Sequence, residues 1–575
     1  MSKIVLLCFK NRDSETYQRG IEVLSSRLTP DNISPNPPVI IDDYGTLIGI
    51  FNPVEGLWIH NGSVCLGSLI DPQDDWWRPT AEVPEGAFAL FRSNANVVEL
   101  ASDIVASRTI WYVQTDDMFI ASTSQRAIVY FLREFQPDKT AFLWMLSSGT
   151  LGPDASWDSR IKRLGPNARL ILDRSTWRLR VERENIDFDP LDLPIEEHQA
   201  RLENALKDTF DRFQPDSRKW VFLLSGGYDS RGVLLMLENR RAFKYITWGL
   251  KSSLGDKEND AYLATSLAEH FDLDHEYFVT DMSSDEPAET VLRRFLVAAE
   301  GRVDHISGYT DGMKIWKWMF EAGYAGVIRS DQVFGWMPMR TASTFDLRES
   351  IGAAMFSDYH NLRSPAEAGL GNLGTQPRPS CFQIREEESV AVWRDRLDQE
   401  YRMPNTQAAL NELKCAYVEV ANPLLSRRVI KLVRQMPDHL RSGKSLWKKV
   451  VSSLSPEIDF AKYRAIPRPG DILKQERQIV DLLANELGTT HTRQLLSDEF
   501  VDNVLRNLTT ADAPPRKPNY LKTARKLIQY STPRSLETVL RNTLLRKDLD
   551  YNRLAFRAYI ICQMHKILSA DAQAF

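Results

Sequence analysis

The chain of 575 residues is poor in the features that mark specialised protein classes. Its five cysteines, Cys8, Cys65, Cys381, Cys415 and Cys562, are scattered, odd in number and never in CxxC spacing. That argues against a disulfide framework or a zinc site and fits a reducing compartment. Long apolar runs are missing. The opening MSKIVLLCFKNRDSE has one six-residue run before charges return, too short for a signal-peptide core or a membrane span. A soluble, cytoplasmic protein with no membrane partner is expected. Charge of one sign is missing too: 72 Lys and Arg against 77 Asp and Glu leave a net −5, so no nucleic acid partner is expected. There is no internal repeat and no long low-complexity tract.

What is present is an ordinary globular composition, 43% apolar and 26% charged, on a chain long enough for two or more domains. Up to about residue 190 the runs are short and broken by turn residues: IVLLCF, TLIGIF, GAFALFRSN, VVELAS, MFIAST, ARLILDRSTWRLRVE. This spacing predicts an antiparallel, β-rich domain over 1–190. The acidic, proline-punctuated ERENIDFDPLDLP reads as a linker. From 196 to 575 strands first alternate with helices: EEHQARLENALKDTFDRF, KWVFLL, RGVLLMLENRR, FKYITWG, DAYLATSLAEHF, HEYFV. That alternation predicts a parallel sheet covered on both faces, and beyond about 340 the pattern is mostly helical.

The stretch VFLLSGGYDSRG, residues 221–232, carries the chemistry. In a parallel α/β sheet, ligands bind beyond the carboxyl ends of the strands. Gly226 and Gly227 allow a sharp turn that brings backbone N–H groups to an anion. Ser225 and Ser230 offer hydroxyl donors, and the helix that follows adds a partial positive charge. Asp229 would repel phosphate unless a cation lay between them, so its role is read as holding Mg2+ on a nucleotide. No Gly-Lys-Ser/Thr follows, which excludes a Walker loop.

SGGYDS resembles the pyrophosphate loop of the N-type ATP pyrophosphatases. Further stretches are similar to the asparagine synthetase family, including its β-lactam synthetase and lasso-peptide cyclase branches: YITWGLKSSLGDKENDAYLATSLAEHF, VIRSDQVFGW, VEVANPLLSRRVIKLVRQMP and GKSLWKKVVSSLSPEIDFAKYRAIPRPG. The resemblance implies an N-terminal antiparallel sandwich of the Ntn-hydrolase type, followed by an α/β pyrophosphate-loop domain with a helical C-terminal part. It implies ATP and Mg2+ as cofactors. Leu223, Ser225, Gly226, Gly227, Asp229 and Ser230 would form the phosphate loop. Trp248 and Gly249 would take the adenine side, joined by Ser330 and by Lys448, which with Lys444 matches a basic pair. Asp331 would be the second metal ligand beside Asp229, with Phe334 and Gly335 completing its turn. Glu419 would be the catalytic base, and Lys462 or Arg464 the cation stabilising the reacting charge.

The departures narrow the expectation. Residue 2 is serine where glutamine-dependent members have cysteine, Cys8 lies inside a strand pattern, and the glutamine-binding motif is missing. Loss of glutaminase activity follows, so the attacking amine should come with the substrate. Ile328 replaces the tyrosine or glutamate of two branches, Arg464 stands where the family has lysine, Gln332 replaces a glutamate, and Arg329 replaces a small residue. The expected function is adenylation of a substrate carboxylate and its closure by an amine, with a lasso-type macrolactam ahead of a β-lactam. The substrate would be a peptide or small molecule carrying both groups, with a peptidase or leader-binding protein as a further partner. An ammonia-using amidase, a sulfur-inserting pyrophosphatase and a non-catalytic nucleotide-binding subunit are the alternatives. His305, Tyr309 and Asp311 read as a substrate-facing loop, DPQDDWWRP as surface packing, and the basic stretch 516–548 as a solvated helical face.

Overall fold

The computed structural model describes residues 3–10, 15–54, 57–70, 72–339, 344–511 and 548–575. Ser2 and nearly all of the basic stretch lie outside them. The first half contains β1 (Lys3–Phe9), β2 (Val39–Asp43), β3 (Thr46–Phe51), β4 (Trp58–His60), β5 (Ser63–Ile70) and β6 (Glu85–Ser93). It continues with β7 (Val97–Ser102), β8 (Trp111–Gln114), β9 (Met118–Ser122), β10 (Lys162–Arg163), β11 (Ala168–Asp173) and β12 (Arg178–Arg183). These form two six-stranded sheets, ordered β10-β8-β9-β1-β3-β2 and β12-β11-β7-β6-β5-β4, in which every pair is antiparallel.

Alternation along the strands explains the layering. Ile4, Leu6, Ile48 and Ile50 face Leu66, Phe91, Leu100 and Leu170 of the other sheet in one buried cluster. The opposite faces of β1 and β3, through Val5, Leu7 and Leu47, pack with Ile21, Leu24 and Ile128 of the helices Glu15–Leu28 and Gln125–Leu132. Those helices cover a face that the strand-dominated reading left open. Trp76 is buried beside Trp58, so the aromatic part of the segment, 72–79, packs as expected.

The second half holds β13 (Trp220–Leu223), β14 (Lys244–Gly249), β15 (Asp274–Val279), β16 (Gly326–Ile328) and β17 (Glu419–Ala421). They form one five-stranded sheet, all parallel, in the order β15-β14-β13-β16-β17. The order steps outward one way from β13 and then the other, so a crevice opens between β13 and β16 at their carboxyl ends. The protein is thus a mixed α/β chain with antiparallel sheets followed by a parallel one.

The two halves are not strung on a free tether. The segment read as a linker is laid against the helix Arg427–Arg434: Asp189 N–H donates to Arg434 O at 3.1 Å and Leu191 N–H to Gln435 O at 2.9 Å. The last helix, Tyr551–Ala572, returns to the first half, where Arg126 closes on Asp571 at 2.7 Å and Arg557 donates to Leu146 O and Ser147 O. One apolar cluster runs through Val5, Trp111, Leu296 and Ile560. Among the described residues, no helix is long and apolar enough to cross a membrane.

Candidate functional site

A cavity of about 730 Å³ opens at the crevice between β13 and β16. Leu223 and Ser225 reach it from β13, Trp248 from β14, and Arg329 and Ser330 from β16. The strand-to-helix turn is shorter than the sequence suggested. The helix runs Tyr228–Met236, so Asp229 stands in its first turn, and Leu237 is already extended. Ser230 Oγ folds back to Ser225 O at 2.9 Å and lies 2.7 Å from Ser225 Oγ, which tightens the loop.

This geometry revises how the loop would meet an anion. Ser225 N–H is taken by Ser230 Oγ, Gly226 N–H by Asp260 Oδ1 at 2.8 Å, and Gly227 N–H by Ser225 Oγ at 3.3 Å. The glycine amides serve the loop itself. The helix that follows has no side-chain cap, so its first-turn amides carry the partial positive charge into the cavity. Burial pushes the Asp260 carboxyl up to about 6, against the Gly226 N–H it accepts and the charge of Arg464.

Residues 461–466 form the facing wall, and 458–460 anchor it. Arg231 donates to Ile458 O at 2.7 Å and Asp459 O at 2.6 Å, and its guanidinium lies 3.9 Å from the centre of the Phe460 ring. Tyr228 stacks on Phe460 at 3.7 Å and 5°. Further along, Leu250 N–H donates to Ala465 O at 2.9 Å, and a side chain on Gly249 would meet Ala465 at 2.5 Å. Gly249 is therefore a close-packing position beside Trp248, not itself on the cavity wall. Arg464 acts on Asp260, whereas Lys462 reaches Glu258 at 2.5 Å with its side chain two-thirds exposed.

The two motif aspartates are both occupied by cations. Lys444 Nζ donates to Asp229 Oδ2 at 2.6 Å, and Trp447 Nε1 donates to Asp229 Oδ1 at 3.0 Å. Arg329 grips Asp331 with two hydrogen bonds, 3.0 Å to Oδ2 and 2.8 Å to Oδ1, and Asn411 adds a third at 3.3 Å. Burial alone would raise the Asp331 carboxyl, but Arg329, with Lys414 and Asn411 behind it, holds it below the usual range. Asp331 does not reach the cavity wall. A divalent cation shared by these two carboxylates does not fit the side chains as they stand, since each already carries a cationic partner and Asp331 lies off the cavity wall. Among the described residues no cluster of three His, Cys, Asp or Glu is placed to hold a metal ion.

Glu419 is also drawn away from the cavity. It pairs in register with Gly326, the first residue of β16 and not the last, and its carboxylate closes on Arg108 of the first half. Gln332 is buried and accepts from Phe334 N–H at 2.7 Å, shaping the turn. Gly335 there has φ +111°, and a Cβ would lie 2.1 Å from Arg441 O, so only glycine fits. His305, Tyr309 and Asp311 do not line the cavity. Their loop backs Trp248 through Gly308, and Tyr309 OH accepts from the buried Lys414 at 2.9 Å. Sequence reasoning missed Arg231, Asp260, Trp447 and Phe460. All four sit within motifs that were read for other residues.

Fold and site define a two-sheet antiparallel half joined to a parallel α/β half with a basic cavity at its switch point. No family model matches the chain, and no curated protein matches it. Solved structures that match include glutamine phosphoribosylpyrophosphate amidotransferase from B. subtilis complexed with ADP and GMP. It shares 10% identity at a TM-score of 0.22, over 68% of this chain and 99% of that one. A structure of the allosteric regulatory enzyme of purine biosynthesis matches at 10% identity and the same TM-score, over 68% and 98%. Similarity at that level assigns no function.

Proposed function

We propose that the protein binds ATP in this cavity, transfers AMP to a substrate carboxylate and lets an amine of the substrate displace the AMP as an amide. It is read as an asparagine synthetase-like ligase whose Ntn-type first half no longer draws nitrogen from glutamine. The observation that carries this reading is the SGGYDS turn, which delivers an uncapped helix N-terminus into a cavity walled by Lys444, Lys448 and Arg464. In the first step a carboxylate oxygen attacks the α-phosphorus and diphosphate leaves toward those cations. In the second the amine attacks the acyl carbon and AMP departs, with Arg464 beside the developing oxyanion. Two acids are candidates for the amine proton: Asp260, which lines the cavity, and Glu419, which the motif resemblance nominates. The five free cysteines support a reducing, cytoplasmic setting. An intramolecular macrolactam is the preferred product, ahead of a β-lactam or an ammonia-derived amide.

A second reading, a nucleotide-binding protein without catalysis, is favoured by the ion pairs on Asp229 and Asp331. Titration with ATP, followed by Trp248 fluorescence and by diphosphate release across candidate carboxylates with and without ammonium, separates the two. Binding that weakens about tenfold, or about 1.4 kcal/mol, in Lys448→Ala and Arg464→Ala is expected. No binding of ATP under any condition would end both readings.

A further inference from the structure

We propose that Lys444 and Arg329 are built-in counter-ions on Asp229 and Asp331, so that the site receives a nucleotide polyphosphate as the free anion, without a divalent metal. This rests on the nucleotide reading of the cavity and goes beyond it by naming the ionic form that binds.

Both carboxylates are committed. Asp229 has one oxygen on Lys444 and the other on the Trp447 indole. Asp331 has both oxygens on the planar fork of Arg329, the geometry in which guanidinium and carboxylate match best. Its side chain is only 10% exposed and lies off the cavity wall.

Lys444 is held in this place under backbone strain. Gly443 and Lys444 both lie in the left-handed region, at φ +64° and +61°, just before the helix Ser445–Leu454. For a lysine that conformation is unfavourable and persists only where surrounding structure imposes it. Trp447, one turn on, is fixed by stacking on Phe334 at 4.5 Å and 15°. It reaches Asp229 because Gly232 leaves room: a Cβ there would lie 2.3 Å from the ring. Arg329 is anchored by its own N–H to Ala421 O at 2.8 Å.

The charge balance agrees. Arg329, Lys444, Lys448, Lys462 and Arg464 line the cavity against Asp229 and Asp260. Asp331 and Glu258 answer Arg329 and Lys462 from behind the wall. Among the described residues, Lys448 and Arg464 have no carboxylate within ion-pair distance, which leaves them for phosphate. The Lys444 ammonium has three hydrogens and spends one on Asp229, so it can hold a phosphate oxygen without releasing its partner.

The test is calorimetric titration of the full chain with ATP in excess EDTA and, in parallel, in excess Mg2+. The expected dissociation constants agree within about threefold, and inorganic tripolyphosphate competes in EDTA. ATP binding that weakens about tenfold or more in EDTA overturns the inference while leaving the nucleotide reading intact. ATP that binds in neither condition overturns both. Arg329→Ala and Lys444→Met should acquire metal dependence, and Arg329→Ala should take up Mn2+ visible by electron paramagnetic resonance where the unaltered chain does not. Stoichiometric Mn2+ binding by the unaltered chain would also overturn it.

Discussion

Arg108 and Glu419 tie the two halves together at a point where neither can reach water. Both side chains are at most 6% exposed, and one end of the pair is carried by a loop of the antiparallel half. That loop is fixed by Asp103, which accepts from Val105, Ser107 and Phe88 N–H groups and from the Ser107 hydroxyl at 2.6 Å. Arg108→Met should strand the Glu419 carboxylate in the interior, and removing one partner of a buried pair costs about 3–5 kcal/mol. Glu412, buried nearby, also draws on the Arg108 charge, and burial already raises its carboxyl. Arg108→Met should therefore cost more than Glu419→Met. Replacing both at once exchanges an ion pair for apolar groups of similar volume, which is often near neutral. The double variant should be more stable than Arg108→Met alone, with a coupling of about 3 kcal/mol. Urea unfolding followed by tryptophan fluorescence, checked by calorimetry, reads the cycle. Single variants within about 0.5 kcal/mol of the parent, or effects that add to within about 0.5 kcal/mol, would refute the reasoning. The repaired double variant also isolates chemistry from stability: amide formation that persists in it removes Glu419 from the list of bases.

Gly232→Ala would drive a methyl into the Trp447 ring and should destabilise by about 1–3 kcal/mol while loosening the indole hold on Asp229; a thermal melt showing no loss would contradict the packing. The raised Asp260 carboxyl makes the native state bind more protons than the unfolded one between about pH 4 and 6, so stability falls as pH rises through that window. Asp260→Asn keeps an acceptor for Gly226 N–H and removes the titration, so its advantage over the parent should grow from pH 4 to 7 toward a ceiling of about 3 kcal/mol; parallel stability curves would show that Asp260 is not buried as described.

Much of this architecture was legible in local pattern. The runs IVLLCF, TLIGIF and VVELAS became β1, β3 and β7, and ARLILDRSTWRLRVE became the β11–β12 hairpin. DAYLATSLAEHF became the helix Asp260–Phe271 to the residue. These segments carry periodicity and turn residues within a dozen positions, so neighbours along the chain suffice. The SGGYDS turn was legible for the same reason, because two glycines between a strand and a helix constrain the backbone locally. ERENIDFDPLDLP connects the end of β12 to the helix Ile195–Arg212 without further secondary structure, but its acid and proline content says nothing about the carbonyls of Arg434 and Gln435 that receive it.

By itself, then, the sequence determined the periodic elements, the position of the glycine turn and the scattered, unpaired state of the cysteines, all of which depend on adjacent residues. Only the tertiary structure decided which charges meet. Asp229 finds Lys444 across 215 positions, Glu419 finds Arg108 across 311, and Asp260, read as part of a helix, turns out to hold the loop amide at the cavity. An ionisable side chain takes its role from the partner and burial that folding gives it, and neither is encoded by the residues beside it.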